Sequence, residues 1–247
     1  MKDPIVSVIM PAYNCAQFIQ KAINSVLIQD VPLELIIIND CSTDDTETVI
    51  MKNLPNSTIR YIKNKTNMGV ARTRNKGVRY AKGKYVAFLD SDDWWENGKL
   101  KKQLELLDKT GMVLCSTGRR LVDYSGKSLN KIIPVKEVIT YSMLLGHNSI
   151  NCSSVVVKRQ VALEYPMEHP DSHEDYITWL KILQKYGSCC AINQPLLNYR
   201  LSAKGKSGNK LHSAKMTFRV YRYMGFGLGK SIICFVRYAV NGVMKYW

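Results

Sequence analysis

Residues 84–93 read KYVAFLDSDD, and this stretch decides the class of fold. Its first six residues form a mostly apolar run of strand length. The run stops at four polar residues, Asp90, Ser91, Asp92 and Asp93. In open α/β sheets, ligands bind beyond the carboxyl ends of the strands. The stretch therefore predicts an α/β fold with a polar site at the end of this strand.

The sequence before this stretch alternates strand and helix signals. Residues 5–10, 33–38 and 58–62 have the apolar, β-branched composition of strands. Helical spacing of apolar residues over 19–27, and helix signals over 43–54 and 70–81, lie between them. Gly83 is expected to cap the last of these helices. The alternation predicts βαβ units around a parallel sheet.

The segments after residue 95 are more varied. Helices are predicted around residues 100–107 and over 174–186, and strands over 112–117 and 152–157. A glycine- and lysine-rich loop over 202–210 precedes two helices, over about 211–224 and 230–246. The chain therefore ends in a helical appendage.

The bulk composition is that of an ordinary globular protein, with 46% apolar and 22% charged residues. Seven scattered cysteines, odd in number and without a CxxC pair, argue against a disulfide framework or a zinc site and favour a reducing cytosol. The N-terminus runs directly into a strand signal, so no signal peptide is expected. No stretch of about 18 apolar residues is present, so no membrane-spanning helix is expected.

The net charge of +15 is concentrated in the last third of the chain. Residues 176–247 contain twelve Lys and Arg but no Asp or Glu, whereas the first 175 residues are nearly balanced. In residues 211–247 basic side chains are interleaved with aromatic ones, a pattern typical of helices that bind an anionic membrane surface. The alternative is that these helices pack over the preceding part of the chain and expose a basic face to solvent. Nucleic-acid binding is not expected, since no known module accompanies the charge.

Three polar clusters follow predicted strands: residues 11–14 (PAYN), 39–40 (ND) and 90–93 (DSDD). If the strands are parallel, all three meet at one edge of the sheet. Strand alternation would place Asp90 and Asp92 on one side and Ser91 on the other. Two carboxylates on one side require a cation or strong donors, and Mg2+ or Mn2+ prefers such oxygen ligands. A divalent metal site is therefore predicted, although a solvated acidic turn would show the same pattern.

Four segments now stand in a specific order: VSVIMPAYN at 6–14, IIINDCSTD at 36–44, NMGVARTRNKG at 67–77 and FLDSDD at 88–93. Together they closely resemble the family 2 glycosyltransferases of the GT-A fold. The resemblance is strong over residues 5–95 and extends more loosely to about 200, through residues 173–175 (HED) and 198–200 (NYR). It implies a Rossmann-like, mostly parallel central sheet flanked by helices, a nucleotide-sugar donor, usually UDP-linked, and transfer with inversion.

The resemblance also implies a domain organisation and roles for residues. Residues 1–200 would form the catalytic domain, with a nucleotide-binding half over about 1–95 and an acceptor half over about 96–200. Residues 201–247 would form the basic loop and helical appendage. Asp40 would accept a hydrogen bond from uracil, Arg74 would reach the base or diphosphate, and Asp90 would lie near the ribose. The metal ligands would be Asp92 and Asp90, and the residues expected to bind the nucleotide sugar are Pro11, Ala12, Tyr13, Asn14, Asp40, Arg74, Asp90, Ser91 and Asp92.

The chain departs from the family pattern at two places. Residues 39–42 read NDCS where the family usually has DDGS. Residues 201–204 read LSAK where a His often follows, so no His ligand is assigned.

An inverting transfer needs a base that takes the proton from the acceptor hydroxyl. The resemblance assigns this role to Asp175, with Glu174 as the second choice. Both residues begin a predicted helix, where acidic side chains also serve as caps. Trp94 and Trp95 could stack on acceptor sugars, although a core role for one of them is equally consistent with the pattern.

The expected enzyme is thus a metal-dependent glycosyltransferase acting on a glycan or lipid-linked acceptor of a bacterial surface polysaccharide. It would lie in the cytoplasm, peripherally on the inner face of the membrane. A catalytically silent sugar-binding module remains an alternative. A phosphatase that uses an Asp nucleophile is disfavoured because Asp93 and Trp94 follow the motif and the motif lies on the fourth strand. The lack of GxGxxG after the first strand disfavours a dinucleotide oxidoreductase.

Overall fold

The computed structural model of the protein describes residues 3–201 and 210–246. Over these residues the chain forms a ten-stranded sheet with helices against both faces. The strands are β1 Val6–Ala12, β2 Leu33–Asn39, β3 Ile59–Lys63, β4 Tyr85–Phe88, β5 Trp94–Trp95, β6 Leu114–Val122, β7 Ser128–Ile133, β8 Val138–Thr140, β9 Val156–Lys158 and β10 Ser188–Arg200. The helices are α1 Ala16–Leu27, α2 Thr46–Met51, α3 Val70–Tyr80, α4 Lys99–Thr110, α5 Tyr141–Gly146, α6 Arg159–Glu164, α7 Glu174–Tyr186, α8 Lys210–Tyr223 and α9 Leu228–Tyr246.

The first four strands are parallel, in the order β3-β2-β1-β4. After β3 the chain returns past β1, so β1 and β4 flank a point at which the strand order reverses. Ligands of open α/β sheets bind outside the carboxyl ends of the strands at such a point. The predicted parallel sheet and its helices are therefore confirmed for residues 5–89.

The second half of the sheet is mixed. β9 is antiparallel to both β4 and β6, whereas β10 runs parallel to β6. Short strands β5, β7 and β8 add further antiparallel pairs. The predicted α/β architecture is confirmed, but parallel pairing prevails only in the first half of the sheet.

The two faces of the sheet are buried in two separate cores. Ile36 and Ile38 of β2 point into the core formed with α3 and α7. Leu35 and Ile37 point into the opposite core, formed with α1 and α4. A strand buried on both faces must be apolar at every position, which explains the continuous run over residues 35–38.

Two glycines allow close contacts around β1. A Cβ at Gly77 of α3 would lie 2.4 Å from Cγ2 of Ile9, so α3 packs closer to β1 than an alanine would allow. A Cβ at Gly83 would lie 2.7 Å from the backbone nitrogen of Ser7. The prediction that Gly83 caps the helix is wrong, since the C-cap is Ala81 in an extended conformation. Gly83 is needed instead for the approach of the chain to β1.

The strand predicted over residues 152–157 is only partly present. Cys152–Ser154 form a 3-10 turn, and the strand is restricted to Val156–Lys158. The hydroxyls explain the difference: Oγ of Ser154 lies 2.6 Å from the carbonyl of Asn151, a local hydrogen bond that competes with strand pairing.

The C-terminal helices pack against the segment that precedes α7. Oγ of Ser172 donates to the carbonyl of Met216 of α8 at 3.0 Å. The ring of His169 stacks on Tyr223 with a centroid distance of 3.8 Å. The side chain of Asp171 accepts the Tyr223 hydroxyl at 2.8 Å. The appendage therefore contacts the part of the chain that leads to Asp175.

Some predictions for the C-terminus fall on residues that the structure does not describe. Most of the predicted basic loop, residues 202–209, lies there, as do Trp247 and the side chains of residues 243–246. The two helices themselves are confirmed. In the described ranges no helix has both the length and the apolar composition that crossing a bilayer requires.

Candidate active site

The carboxyl ends of β1, β2 and β4 bring the predicted polar clusters to one edge of the sheet. The N–H of Asp40 donates to the carbonyl of Ala12 at 2.8 Å. Oδ1 of Asn14 accepts the N–H of Thr43, also at 2.8 Å. The ends of β1 and β2 thus form one hydrogen-bonded rim, as the parallel arrangement predicts.

The four residues at the end of β1 differ in what they present to a ligand. Pro11 and Ala12 are buried within the strand, so only their backbone could line a pocket. Tyr13 is 49% exposed and Asn14 is also exposed. Asn14 has a φ of 48°, in the left-handed region that Asn tolerates better than most residues. The uridine-binding role of this segment stays a prediction that rests mainly on Tyr13 and Asn14.

Asp40 organises the loop that leads into α3. Its buried carboxylate accepts hydrogen bonds from Nδ2 of Asn64 at 2.7 Å and from the N–H groups of Met68 and Gly69, each at 2.9 Å. Cys41, at the position where the family usually has Gly, has a φ of 63°. The structure therefore gives Asp40 a positioning role, and uracil recognition by this residue stays a prediction.

The acidic residues after β4 form a turn, closed by a 3.1 Å hydrogen bond from the N–H of Asp93 to the carbonyl of Asp90. The strand ends before Asp90, so this turn, rather than strand alternation, places the three side chains. The carboxylates are nevertheless close: burial, and then the charge of Asp90, raise the pKa of Asp92 to about 6. Ser91 is buried, so it points away from solvent.

Arg200, the last residue of β10, holds this turn. Its N–H donates to Oδ1 of Asp93 at 2.9 Å, and its Nε donates to the carbonyl of Asp92 at 2.9 Å. Its Nη1 also contacts the carbonyl of Tyr124 at 2.5 Å. Burial and the neighbouring carboxylates raise the pKa of Asp93. The sequence contained this residue in the NYR segment but gave it no role.

Arg74 of α3 joins the two halves of the candidate site. Its Nη2 lies 2.5 Å from Oδ1 of Asp90, and its Nη1 lies 3.2 Å from Oε1 of Glu174. The next residue, Asn75, pairs with the backbone of Met167 through two hydrogen bonds of 2.7 and 2.9 Å. One helix therefore fixes both the acidic turn and the segment before α7. In this structure the guanidinium of Arg74 is engaged by protein carboxylates.

Asp175 and Glu174 occupy the first turn of α7 but differ in their surroundings. Glu174 is buried and paired with Arg74, which makes it a structural carboxylate. Asp175 is half-buried, and its Oδ1 accepts the N–H of Tyr176 at 2.8 Å. Burial, and then the charge of Glu174, raise the pKa of Asp175. Because Glu174 is buried and engaged by Arg74 whereas Asp175 is more exposed, the geometry favours Asp175 over Glu174 as the candidate base.

Asp90 and Asp92 supply oxygen atoms of the kind that Mn2+ and Mg2+ prefer. Within residues 3–201 and 210–246, no group of three or more His, Cys, Asp or Glu could hold a metal. Asp90 and Asp92 nevertheless lie close enough for the charge of Asp90 to add to burial in raising the pKa of Asp92. The two carboxylates therefore fit a cation whose other ligands come from substrate phosphates.

The two tryptophans after the acidic turn have different roles. Trp95 is only 2% exposed, and its Nε1 donates to the carbonyl of Ser153 at 2.7 Å. The prediction that it stacks on an acceptor sugar is therefore wrong, because the ring is part of the core. Trp94 is partly exposed, and Nζ of Lys21 lies 3.4 Å from the centre of its ring. Acceptor binding by Trp94 stays a prediction.

Ser153 is a contact that the sequence analysis missed. Its Oγ accepts the N–H of Asp90 at 3.1 Å, and its carbonyl accepts the indole of Trp95. Both bonds depend on the turn over residues 152–154. The sequence did contain a signal for this contact, because two serines lie inside an apolar run and buried hydroxyls need hydrogen-bond partners.

Comparison with known proteins agrees with this geometry. The model of glycosyl transferase family 2 matches residues 7–165. A protein of Bacillus subtilis named for teichuronic acid biosynthesis, the glycosyltransferase TuaG, is 38% identical over 98% of this chain and 97% of its own length. The Escherichia coli UDP-Glc:alpha-D-GlcNAc-diphosphoundecaprenol beta-1,3-glucosyltransferase WfaP is 34% identical over 98% of this chain and 95% of its length.

Solved structures share the fold. TarS of S. aureus in complex with UDP-GlcNAc has a TM-score of 0.72 and 18% identity, covering 95% of this chain and 71% of that one. The mannosyltransferase PcManGT of Pyrobaculum calidifontis in complex with GDP-Man and Mn2+ has a TM-score of 0.70 and 20% identity, covering 92% and 66%. The fold is therefore that of GT-A glycosyltransferases, as the resemblance implied.

Proposed function

This chain belongs to the family 2 glycosyltransferases, and we propose that it moves a sugar from a UDP-linked donor to a lipid-linked glycan with inversion at the anomeric carbon. Its membership of the family establishes glycosyl transfer. The class of donor, the acceptor and the stereochemistry are the proposal. The product would be part of a bacterial surface polysaccharide, and the relative TuaG is named for teichuronic acid biosynthesis.

The observation that carries the proposal is the double contact of Arg74. It joins Asp90, next to the candidate metal ligand Asp92, to Glu174, next to the candidate base Asp175. An inverting transferase needs its base and its leaving diphosphate within one site, on opposite faces of the anomeric carbon. The shared guanidinium supports that arrangement because it links the two acidic segments directly.

The proposed chemistry divides between the two acidic segments. Asp175 takes the proton from the acceptor hydroxyl as the oxygen attacks the anomeric carbon. Exposed Tyr13 and Asn14 would contact the nucleoside, as the resemblance implies. A divalent cation held by Asp92 and Asp90 would supply positive charge to the leaving diphosphate.

A lipid-linked acceptor is supported by two observations. WfaP and the similar E. coli protein WfgD, 34% identical to this chain, are named for acceptors on diphosphoundecaprenol. In this chain, α9 exposes Ile232, Ile233 and Val236 on a helix without acidic residues. We propose that residues 211–247 lie on an anionic membrane surface, with the catalytic domain on the cytoplasmic side.

Variants of the two acidic segments test the proposal. Asp92→Ala and Asp175→Asn should each reduce transfer from a UDP-sugar, with Mn2+ present, by about 1000-fold. Asp92→Ala should also weaken donor binding in a thermal-shift assay, whereas Asp175→Asn should retain it. Asp108→Asn, at an exposed site on α4, is the matched control and should remain active. Full activity of either acidic variant would remove the role assigned to that residue.

A further inference from the structure

An apolar groove lies between α8 and α9, outside the candidate active site. It is open to solvent and has a volume of about 630 Å³. The rings of Phe218 and Phe235 meet edge to face in it, with a centroid distance of 5.9 Å. Leu211, which is 82% exposed, lies at one end. The lining residues are Leu211, His212, Ala214, Lys215, Phe218 and Phe235.

The groove lies one helix away from the candidate base. On one side of α8, the carbonyls of Ser213 and Met216 contact His173 and Ser172, just before α7. Lys215 and Phe218, also three residues apart, share the other side, which lines the groove. A helix is roughly 10 Å across with its side chains, so a ligand in the groove would lie about one helix diameter from the segment that leads to Asp175.

The charge around the groove selects the type of occupant. Residues 176–247 contain no carboxylate side chain, and Lys215 lies on the groove itself. Arg219, on the next turn of α8, is paired with Asp171 at 3.1 Å, so Lys215 is the cation that the groove lining offers. A purely apolar molecule would gain nothing from Lys215, whereas an apolar chain attached to phosphate would contact both the rings and the positive charge.

We propose that this groove binds the apolar chain of a lipid diphosphate, the lipid part of the acceptor. The inference rests on the proposed function, and it adds a subsite separate from the donor site. Phe218 and Phe235 hold the first part of the chain, and Lys215 attracts the phosphate end. The sugar on the diphosphate is thereby directed past the N-terminus of α7 towards Asp175.

Direct binding tests this subsite without transfer. Farnesyl diphosphate and inorganic diphosphate are titrated calorimetrically into the full chain with its donor site saturated by UDP and Mn2+. Farnesyl diphosphate should bind at least about tenfold more tightly, because only its chain enters the groove. Equal affinities for the two ligands would overturn the proposal.

Two groove variants and a matched control locate the site. Leu211→Glu places a carboxylate at the groove, and Ala214→Trp fills it, so each should weaken farnesyl diphosphate about tenfold. Leu228→Glu makes the same change at a 62% exposed position that does not line the groove, and should have no effect. Unchanged UDP affinity in all three variants shows that they are folded.

The remaining outcomes are also decisive. If Leu211→Glu weakens binding to anionic vesicles but leaves farnesyl diphosphate binding unchanged, the groove only faces a bilayer and the subsite proposal is wrong. If Leu228→Glu weakens farnesyl diphosphate as much as Leu211→Glu does, the effect is general repulsion and the proposal is again wrong. Failure of the wild type to bind UDP would instead contradict the proposed function, independently of the groove.

Discussion

Asp92 is held in surroundings that disfavour its charge in the absence of substrate. Burial, followed by repulsion from Asp90, raises its pKa to about 6, above the ordinary value of an aspartate. A carboxyl group whose pKa is raised by folding stabilises the protein when protonated. Its favourable contribution is therefore complete below pH 4 and is lost as the pH rises through about 6.

Asp92→Asn should consequently stabilise the cation-free protein at pH 7.5, by about 2 kcal/mol, because it removes a charge that folding disfavours. Urea unfolding with EDTA at pH 7.5 and pH 4 measures the effect, which should nearly vanish at the lower pH. Addition of Mn2+ should stabilise the wild type and not the variant. Equal stabilities of wild type and variant at pH 7.5 would contradict the raised pKa of Asp92.

At the scale of single residues, the sequence predicted part of the candidate site. Motif spacing identified the residues that the structure gathers at the sheet edge, among them Asp40, Arg74 and Asp90. It could not show that Arg74 binds two carboxylates, because Glu174 lies 100 positions later and the contact depends on the fold. It also could not separate Trp94 from Trp95, since neighbouring residues of an edge strand face opposite sides.

Helix α3 is the element on which the geometry of the site depends. It carries Arg74 and Asn75, and Gly77 allows it to approach β1. The glycine that ends the NMGVARTRNKG segment is therefore a packing residue. Any residue with a Cβ would push the helix, and with it Arg74, away from the sheet.

Gly77→Ala should thus destabilise the protein by about 1–3 kcal/mol, because the added methyl group collides with the fully buried Ile9. Gly242→Ala is the control, since it makes the same change in helix α9, where a Cβ would meet nothing within 4 Å. That variant should gain up to about 1 kcal/mol from helix propensity. Urea midpoints measure both changes, and a stabilising effect of Gly77→Ala would refute the close-packing argument.

Most helices and strands could be predicted because each lies in the same environment along its whole length, and the spacing of its apolar residues reflects that environment. The parallel strands and the helices over 70–81 and 174–186 are of this kind. The strand prediction was wrong for residues 152–154. Ser153 and Ser154 are buried there with hydrogen-bond partners, and hydrophobic periodicity does not record such partners. Pairing of β9 between β4 and β6 is a long-range property that no local pattern specifies.

At the scale of the whole molecule, charge and apolar exposure are segregated. Residues 1–175 are nearly balanced in charge, whereas α8 and α9 carry basic residues and α9 exposes a row of apolar side chains. The sequence predicted the basic helices. It did not predict that α8 packs against the segment before α7, so that the appendage contacts the candidate site.

The proposed membrane contact through α9 would give a measurable dependence on lipid and salt. The protein should sediment with anionic vesicles, not with neutral ones, and binding should weaken as salt rises from about 0.05 to about 0.5 M. Ile233→Ser, at a 69% exposed position, should weaken binding severalfold. Ile28→Ser is the control, at a 56% exposed position beside α1. Equal binding of the two variants would exclude α9 as the contact surface.

The single guanidinium of Arg74 has a consequence for kinetics. It faces Asp90 and Glu174 directly, with Asp92 and Asp175 close by, and these acidic side chains outnumber Arg74 and Arg200 together. A bare pyrophosphate ester arriving here would meet repulsion. We therefore expect the chelate of cation and sugar nucleotide to be the true substrate. Initial velocity should follow the concentration of that chelate rather than the total concentration of either component.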